Sequence, residues 1–275
     1  MNTHTMVLTA PERPVEIDDA RRAVVGARDA VAPLILEVRD LSVSFDGFKA
    51  VDHLSLSVEA RELRVVIGPN GAGKTTLLDM ICGKTRPSSG QILFQGQDVT
   101  RLSEDRIVKL GIGCKFQTPS VYEDLTVAEN LEISLPQGQG VLSSLFFRRG
   151  AQVRQAIAWA AEQVFLQDML EHKAGQLSHG QKQWLEIGML LTQEPKLLLL
   201  DEPVAGMSPH ERELTAELLQ RISDGKSVIV IEHDMDFVKR IADKVTVLHQ
   251  GRLLSEGTAA QVQADPRVID VYLGH

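Results

Sequence analysis

The chain has 275 residues, 43% of them hydrophobic, which is enough apolar material for one large domain or two closely packed ones. It carries 29 lysines and arginines against 37 acidic residues, so its formal net charge is −8. This balance argues against a nucleic-acid-binding surface, which ordinarily carries a basic excess. The apolar runs at 156–161 and 197–200 are far shorter than the roughly 18 residues that a membrane-spanning helix needs. We therefore expect no transmembrane segment.

The first 33 residues contain three prolines and a charged stretch at 16–22, without the apolar region of a secretory signal. They predict a flexible leader, followed by a single functional domain over residues 34–275. The chain also contains two cysteines, Cys82 and Cys114, which form no CxxC pattern and have no paired histidines. Two reduced, mostly buried thiols are the expectation.

Short apolar strands alternate with helical patterns along most of the domain. Leu54, Leu56 and Val58 alternate with polar residues, as in a half-buried strand. Further strands are predicted at 63–67, 92–94, 196–200, 227–231 and 244–248, and helices at 74–82 and through most of 120–195. Buried-type strands separated by helices indicate a parallel sheet covered on both faces, so the fold class is α/β. The long helical stretch predicts a subdomain that interrupts the sheet.

A glycine-rich turn between a predicted strand and a predicted helix fits the phosphate-binding pattern G-x-x-x-x-G-K-[ST]. Its residues are Gly68, Pro69, Asn70, Gly71, Ala72, Gly73, Lys74, Thr75 and Thr76. The glycines let backbone N–H groups turn onto phosphate oxygens, and the helix N-terminus adds positive potential. Lys74 is expected to reach the β- and γ-phosphates, and Thr75 to ligate Mg²⁺. The pattern predicts a P-loop ATPase or GTPase.

Two adjacent carboxylates follow the apolar strand at 197–200. In P-loop enzymes one acid at this place holds Mg²⁺, and a second residue directs the attacking water. Asp201 is therefore the predicted metal ligand and Glu202 the predicted general base.

The run Leu177-Ser178-His179-Gly180-Gln181 resembles the signature sequence of ABC ATPases and lies ahead of the acidic strand, as that family requires. The resemblance covers nearly everything from residue 34 onward and separates the chain from GTPases, kinases and helicases. It implies a P-loop ABC ATPase core with a mostly parallel sheet, an antiparallel β subdomain and an inserted α-helical subdomain at about 118–195. It also implies a dimer with ATP and Mg²⁺ as cofactors. Ser178 and Gly180 would contact the γ-phosphate bound to the opposite subunit, and Gln181 begins the adjoining helix of that nucleotide site.

Three other residues take their roles from the same resemblance. Gln117, within 115–119, matches the Q-loop glutamine that joins the sheet to the helical subdomain and senses Mg²⁺ and the attacking water. His233 matches the switch histidine that touches the γ-phosphate and positions Glu202 and water. Phe45 aligns with the aromatic residue that stacks on adenine, with Phe48 as a competing candidate.

Two departures from the common family pattern narrow the subfamily. His179 replaces the usual signature glycine, and the loop at 205–211 lacks the common Ser-Ala-Leu-Asp sequence. Both resemble the branched-chain amino acid and amide importer branch. Within it, 115–119, 177–186 and the ending at 271–274 look most like a urea transporter subunit. Urea or a short amide is therefore the expected substrate, with branched-chain amino acids, lipopolysaccharide export and a non-transport ABC protein as alternatives.

The resemblance also implies partners and a location. The expected partners are membrane permeases, a second ABC ATPase subunit in a heterodimer, and indirectly an extracytoplasmic solute-binding protein. A homodimer is the alternative, and no nucleic acid is expected. The chain would lie peripherally at the cytoplasmic face of a bacterial inner membrane. The segment 137–150 is interpreted as a packed insertion of the helical subdomain, or else as a loop facing the membrane or the permease.

Overall fold

The computed structural model describes residues 33–115, 121–136 and 150–273. The first 32 residues of the predicted leader, Gln117 and nearly all of 137–150 lie outside these ranges. The described strands are β1 (Leu34–Phe45), β2 (Phe48–Glu59), β3 (Leu63–Ile67), β4 (Ser89–Phe94), β5 (Gln97–Asp98), β6 (Ile112–Lys115), β7 (Leu197–Asp201), β8 (Ser227–Ile231), β9 (Lys244–His249) and β10 (Arg252–Gly257). The described α-helices are α1 (Lys74–Ile81), α2 (Glu104–Leu110), α3 (Val127–Ile133), α4 (Ala151–Gln163), α5 (His179–Leu191), α6 (Pro209–Ser223), α7 (Met235–Ile241), α8 (Ala259–Ala264) and α9 (Pro266–Leu273).

One sheet is antiparallel and has the strand order β2-β1-β4-β5. Leu54, Leu56 and Val58 of β2 are buried while the residues between them are exposed, which confirms the predicted alternation. Phe45 and Phe48 face each other across the turn between β1 and β2. The expected antiparallel β subdomain is thus confirmed.

The second sheet is six-stranded, with the order β10-β9-β3-β8-β7-β6. Its strands are parallel except for β10, which runs antiparallel to β9. Every residue of β3, β7 and β8 is buried, as a parallel sheet covered on both faces requires. Consecutive residues Val65 and Val66 belong to different apolar clusters, one on each face. The α/β fold with a mostly parallel sheet is confirmed.

The described parts of the predicted helical subdomain contain α3, α4 and α5, which pack against one another. A buried hydrogen bond from Trp184 Nε1 to Thr215 Oγ1, 2.9 Å long, ties α5 to α6. Trp184 also packs edge-on against Phe165. The signature helix α5 is therefore anchored both to its helical neighbours and to the helix that follows the acidic strand.

The expectation of two reduced thiols is wrong, because Cys82 and Cys114 form a disulfide with a Cα–Cα distance of 6.8 Å. Cys82 lies at the end of α1, and Cys114 lies in β6. The two residues are 32 positions apart, so no local sequence pattern marks the pair. Only the packing of α1 against the sheet brings them together.

A buried arginine connects strands of both sheets. Arg64 of β3 is 1% exposed. It bonds Glu256 Oε2 of β10 at 2.6 Å, Thr246 Oγ1 of β9 at 2.8 Å and the Ser57 carbonyl oxygen of β2 at 2.8 Å. A further ion pair joins it to the buried Glu62. Removing this guanidinium would leave the buried carboxylate of Glu62 without this counter-charge, whereas Glu256 would keep its ion pair with Lys244 at 2.8 Å.

We expect Arg64→Ala to lower the free energy of unfolding by about 3–5 kcal/mol, the usual result of breaking a buried ion pair. Arg39→Ala is the matched control, since Arg39 is exposed and pairs with Glu37 at the surface. That change is expected to cost no more than about 1 kcal/mol. Urea denaturation measures both values, and equal losses would contradict the structural role given to Arg64.

Candidate functional site

The P-loop connects the buried end of β3 to the N-terminus of α1. Its last glycine, Gly73, caps the helix with a φ of 96°, a left-handed conformation that side chains disfavour. A Cβ atom here would also lie 2.4 Å from the carbonyl oxygen of Ala50. Conformation and packing both require glycine at this position, which fixes the path of the loop.

Lys74 follows directly and turns back over the loop. Its Nζ donates to the carbonyl oxygen of Gly68 at 2.8 Å and of Pro69 at 3.1 Å. Burial lowers the pKa of Lys74, and the nearby carboxylates of Asp201 and Glu202 oppose that shift. The ammonium group is thus held at the mouth of the loop, where it can meet a phosphate.

The loop borders a cavity of about 220 Å³. The cavity is lined by residues 70–76 of the P-loop and by Phe48, Ala50, Glu202 and Ile231. Phe48 is 63% exposed, so its ring has a free face at the cavity, whereas Phe45 is not one of the lining residues. The geometry therefore favours Phe48, the competing candidate, as the ring that could stack on adenine.

Asp201 ends β7 and faces Thr75 at the start of α1. Thr75 Oγ1 donates to Asp201 Oδ2 over 3.1 Å. The other carboxylate oxygen, Oδ1, is buried and has no hydrogen-bond partner. Burial raises the pKa of Asp201, and the bond from Thr75 opposes that rise. A carboxylate oxygen and a hydroxyl that converge beside the P-loop are a donor set that suits Mg²⁺.

Glu202 and His233 follow adjacent strands, β7 and β8. Glu202 adopts a left-handed φ of 48°, and its N–H donates to the carbonyl oxygen of Ile231 over 3.0 Å. His233 Nδ1 lies 3.6 Å from Glu202 Oε1. The structure thus brings the predicted switch histidine close to the predicted base, which lines the cavity. It also holds Glu202 in a backbone conformation that is rare for residues other than glycine.

The acid before the switch histidine, Glu232, was not predicted from the sequence. It is 1% exposed. Its Oε1 accepts from the N–H of Val204 at 3.4 Å and its Oε2 from the N–H of His233 at 3.2 Å. Burial raises the pKa of Glu232, and the two backbone donors oppose that rise. The Glu232 side chain therefore connects the segments that carry Glu202 and His233. The sequence feature that could have revealed it is an acidic residue directly after a buried strand.

The signature residues begin α5. Ser178 caps the helix by accepting from the N–H of Gln181 at 3.1 Å, and Gln181 Oε1 accepts from the N–H of Ser178 at 2.9 Å. Among the described residues, those lining the P-loop cavity include none from 177–181. One subunit therefore brings together the P-loop, Asp201, Glu202 and His233, while Ser178, Gly180 and Gln181 do not join them at that cavity.

Gln117 lies outside the described residues, but the structure fixes the strand that leads to it. Lys115, the last residue of β6, pairs with Leu200 of β7, next to Asp201. Its buried Nζ lies 3.3 Å from Glu186 Oε2 of α5. The strand that precedes Gln117 thus ends next to the predicted metal ligand, and its last residue is paired with the signature helix.

Comparison with known proteins agrees with this arrangement. The chain matches the family model described as ABC transporter over residues 51–205, and the model described as branched-chain amino acid ATP-binding cassette transporter over 252–275. It is 36% identical over 251 residues to the high-affinity branched-chain amino acid transport ATP-binding protein BraF of Pseudomonas aeruginosa, covering 87% of this chain and 98% of BraF. It is 34% identical over 250 residues to the corresponding protein LivG of Escherichia coli, with 87% and 98% covered.

Solved structures show the same likeness. The ADP conformation of an ATP-binding cassette of an ABC transporter superposes with a TM-score of 0.77 at 32% identity, covering 88% of this chain and 99% of that one. A dimeric ATP-binding cassette bound to ADP and phosphate superposes with a TM-score of 0.67 at 25% identity, covering 82% and 98%.

The chain belongs to the ABC transporter family of ATP-binding subunits. It is an ATPase subunit, of a family whose members dimerise and work with membrane permeases. Within that family it is most similar to the branched-chain amino acid branch. None of the helices that the structure describes is long and apolar enough to span a membrane.

The position of Glu202 generates a direct test of its predicted role. Glu202→Gln should preserve ATP binding but slow hydrolysis at least about 100-fold, the usual scale for loss of a general base. Lys74→Ala should instead weaken nucleotide binding, because it removes the ammonium group at the loop. Binding of a fluorescent ATP analogue and release of phosphate separate the two effects. Near-normal turnover by the Glu202→Gln protein would remove Glu202 from the role of base.

Proposed function

We propose that the chain is the ATPase subunit of an importer for branched-chain amino acids. The observation that carries this proposal is the match of residues 252–275 to the branched-chain amino acid cassette model, together with 36% identity to BraF over nearly its whole length. The expectation of urea or a short amide rested on 115–119, 177–186 and the ending at 271–274. The ending at 271–274 lies within the region that matches the branched-chain amino acid model, so the branched-chain alternative takes precedence over urea.

In this proposal the P-loop binds the phosphates of ATP. Its backbone N–H groups and Lys74 meet the β- and γ-phosphates, and the ring of Phe48 stacks on the adenine. Thr75 and Asp201 would hold Mg²⁺, with Gln117 as a further ligand. When bound there, the metal would supply neutralisation of the charge on the phosphates. The buried Oδ1 of Asp201 has no hydrogen-bond partner, which supports this assignment because buried polar atoms normally have one.

Hydrolysis then depends on the pair at the cavity edge. Glu202 takes the proton from the attacking water, and His233 orients the γ-phosphate and Glu202. The buried carboxylate of Glu232 keeps both segments in place through the N–H groups of Val204 and His233. Loss of this side chain would release the backbone that positions the base.

A second subunit completes the site in this proposal. Ser178 and Gly180 of one chain meet the γ-phosphate on the P-loop of the other, at the N-terminus of α5. The separation of the signature from the P-loop cavity of its own chain supports this arrangement. We propose a heterodimer with a second ABC ATPase subunit, with a homodimer as the alternative.

Closure of the two subunits would then act on the permeases. Lys115 and Glu186 join the strand before Gln117 to the signature helix, so a displacement at the nucleotide reaches α5 through a buried ion pair. The permeases would contact the helical subdomain at the cytoplasmic face of the membrane. Substrate selection would belong to the permeases and to an extracytoplasmic solute-binding protein.

Uptake of labelled leucine and labelled urea at low external concentration, in a strain lacking this gene, tests the substrate. We expect leucine uptake to fall on deletion, to return with the wild-type chain and to stay low with Glu202→Gln. Urea uptake should be unchanged throughout. If urea uptake falls while leucine uptake is unaffected, the branched-chain proposal is wrong and the ATPase assignment stands.

A further inference from the structure

The signature serine is bonded to an acidic side chain of another helix. Ser178 Oγ donates to Glu211 Oε1 over 2.9 Å. Glu211 lies in the first turn of α6, and its Oε2 accepts from the N–H and from the Oγ of Ser208, each at 2.9 Å. The two carboxylate oxygens of Glu211 thus have different partners. Oε2 accepts from Ser208 at the N-cap of α6, and Oε1 accepts from the signature serine.

Gly180 leaves room for this carboxylate. A Cβ atom on Gly180 would lie 2.6 Å from Glu211 Oε1, so any other residue would force this carboxylate to move away from its present position. The carboxylate therefore rests against the bare backbone at the N-terminus of α5, where the helix dipole favours negative charge. By family resemblance, this is the place that a γ-phosphate oxygen of ATP takes on dimer closure.

Glu211 is held in its charged form at this place. The N–H of Ser208 lowers the pKa of Glu211, and the hydroxyls of Ser208 and Ser178 and the nearby ring of His179 act in the same direction. An ionised carboxylate beside the signature repels an incoming phosphate, because both groups are negative.

The Glu211 carboxylate and a γ-phosphate cannot both accept a hydrogen bond from the Ser178 hydroxyl at the same time. A hydroxyl has one hydrogen and can donate to one acceptor at a time. In this structure that hydrogen goes to Glu211, while the lone pairs of Ser178 Oγ accept from Gln181. For Ser178 to donate to a phosphate, Glu211 Oε1 must first give up its bond.

We propose that Glu211 is a positioning residue that holds the signature in the ATP-free subunit by standing in for the γ-phosphate, and so sets the ATP concentration needed for closure. This inference rests on the proposed composite site. On closure the phosphate replaces Oε1 as the acceptor for Ser178, while Oε2 keeps its bonds to Ser208. The helix cap is therefore retained when the carboxylate is displaced.

The test uses Glu211→Gln, which removes the charge but keeps a side chain suited to the capping position. The full chain carries Glu202→Gln to prevent hydrolysis, and ATP-dependent association with its ATPase partner is followed by analytical ultracentrifugation. A like-charge repulsion of about 1 kcal/mol corresponds to about fivefold, so half-maximal association should need at least about fivefold less ATP. Binding of a fluorescent ATP analogue to the separate subunit should be unchanged, because Glu211 does not line the P-loop cavity.

Two variants separate charge from structure. Glu217→Gln makes the same charge change at an exposed position of α6 and should not shift association. Ser208→Ala weakens the cap of α6 but keeps the carboxylate, and should not lower the ATP requirement. An unchanged or higher requirement in Glu211→Gln, or an equal decrease in Ser208→Ala, overturns the inference.

A further variant distinguishes this inference from the proposed composite site. Ser178→Arg should abolish closure by clash and by loss of the phosphate contact. If Ser178→Arg still closes normally, the composite site is wrong, and the role of Glu211 falls with it. If Ser178→Arg fails to close while Glu211→Gln behaves as the parent chain, only the role of Glu211 is wrong.

Discussion

The parallel pairing of β3, β8 and β7 is the constraint on which the site depends. These three buried strands lie side by side, so their carboxyl ends reach one edge of the sheet. The P-loop follows β3, Asp201 and Glu202 close β7, and Glu232 and His233 follow β8. Residues more than 100 positions apart in the chain therefore meet within hydrogen-bonding distance, as the contact between Thr75 and Asp201 shows. Apolar packing on both faces of the sheet gives this edge its rigidity.

The sequence was most informative where chemistry depends on residues that are neighbours in the chain. The P-loop and the acidic pair after β7 are short runs whose flanking strand and helix are also readable from apolar patterning. The signature sequence identified the family, because its position between the P-loop and the acidic pair can be read directly from the sequence. The α/β fold and the interrupting helical stretch were also predicted from patterning, and the resemblance added the antiparallel subdomain. The described residues contain both sheets and the helices α3, α4 and α5 of the predicted helical subdomain.

Contacts between segments that are far apart in the chain could not be predicted from the sequence. Cys82 and Cys114 were expected to be separate thiols, but packing of α1 against β6 joins them. The bond between Glu211 and Ser178 depends on how α5 and α6 pack, which no local sequence pattern shows. Phe45 and Phe48 share a hairpin, and only the position of the turn decides which ring meets the cavity. In the proposed importer other subunits would select the substrate, so the substrate was the least constrained inference.

Metal binding in the presence of nucleotide tests most directly whether the ends of β3 and β7 form one MgATP site. Mn²⁺ is added in place of Mg²⁺ with a non-hydrolysable ATP analogue, and free Mn²⁺ is measured by electron paramagnetic resonance. Asp201→Asn should weaken Mn²⁺ binding at least about tenfold, because even residues that only support a metal ligand typically contribute that much to metal affinity. Binding of the analogue without metal should persist. Equal Mn²⁺ affinity in the wild-type and Asp201→Asn proteins would contradict the account, because the aspartate beside the P-loop would then not hold the metal.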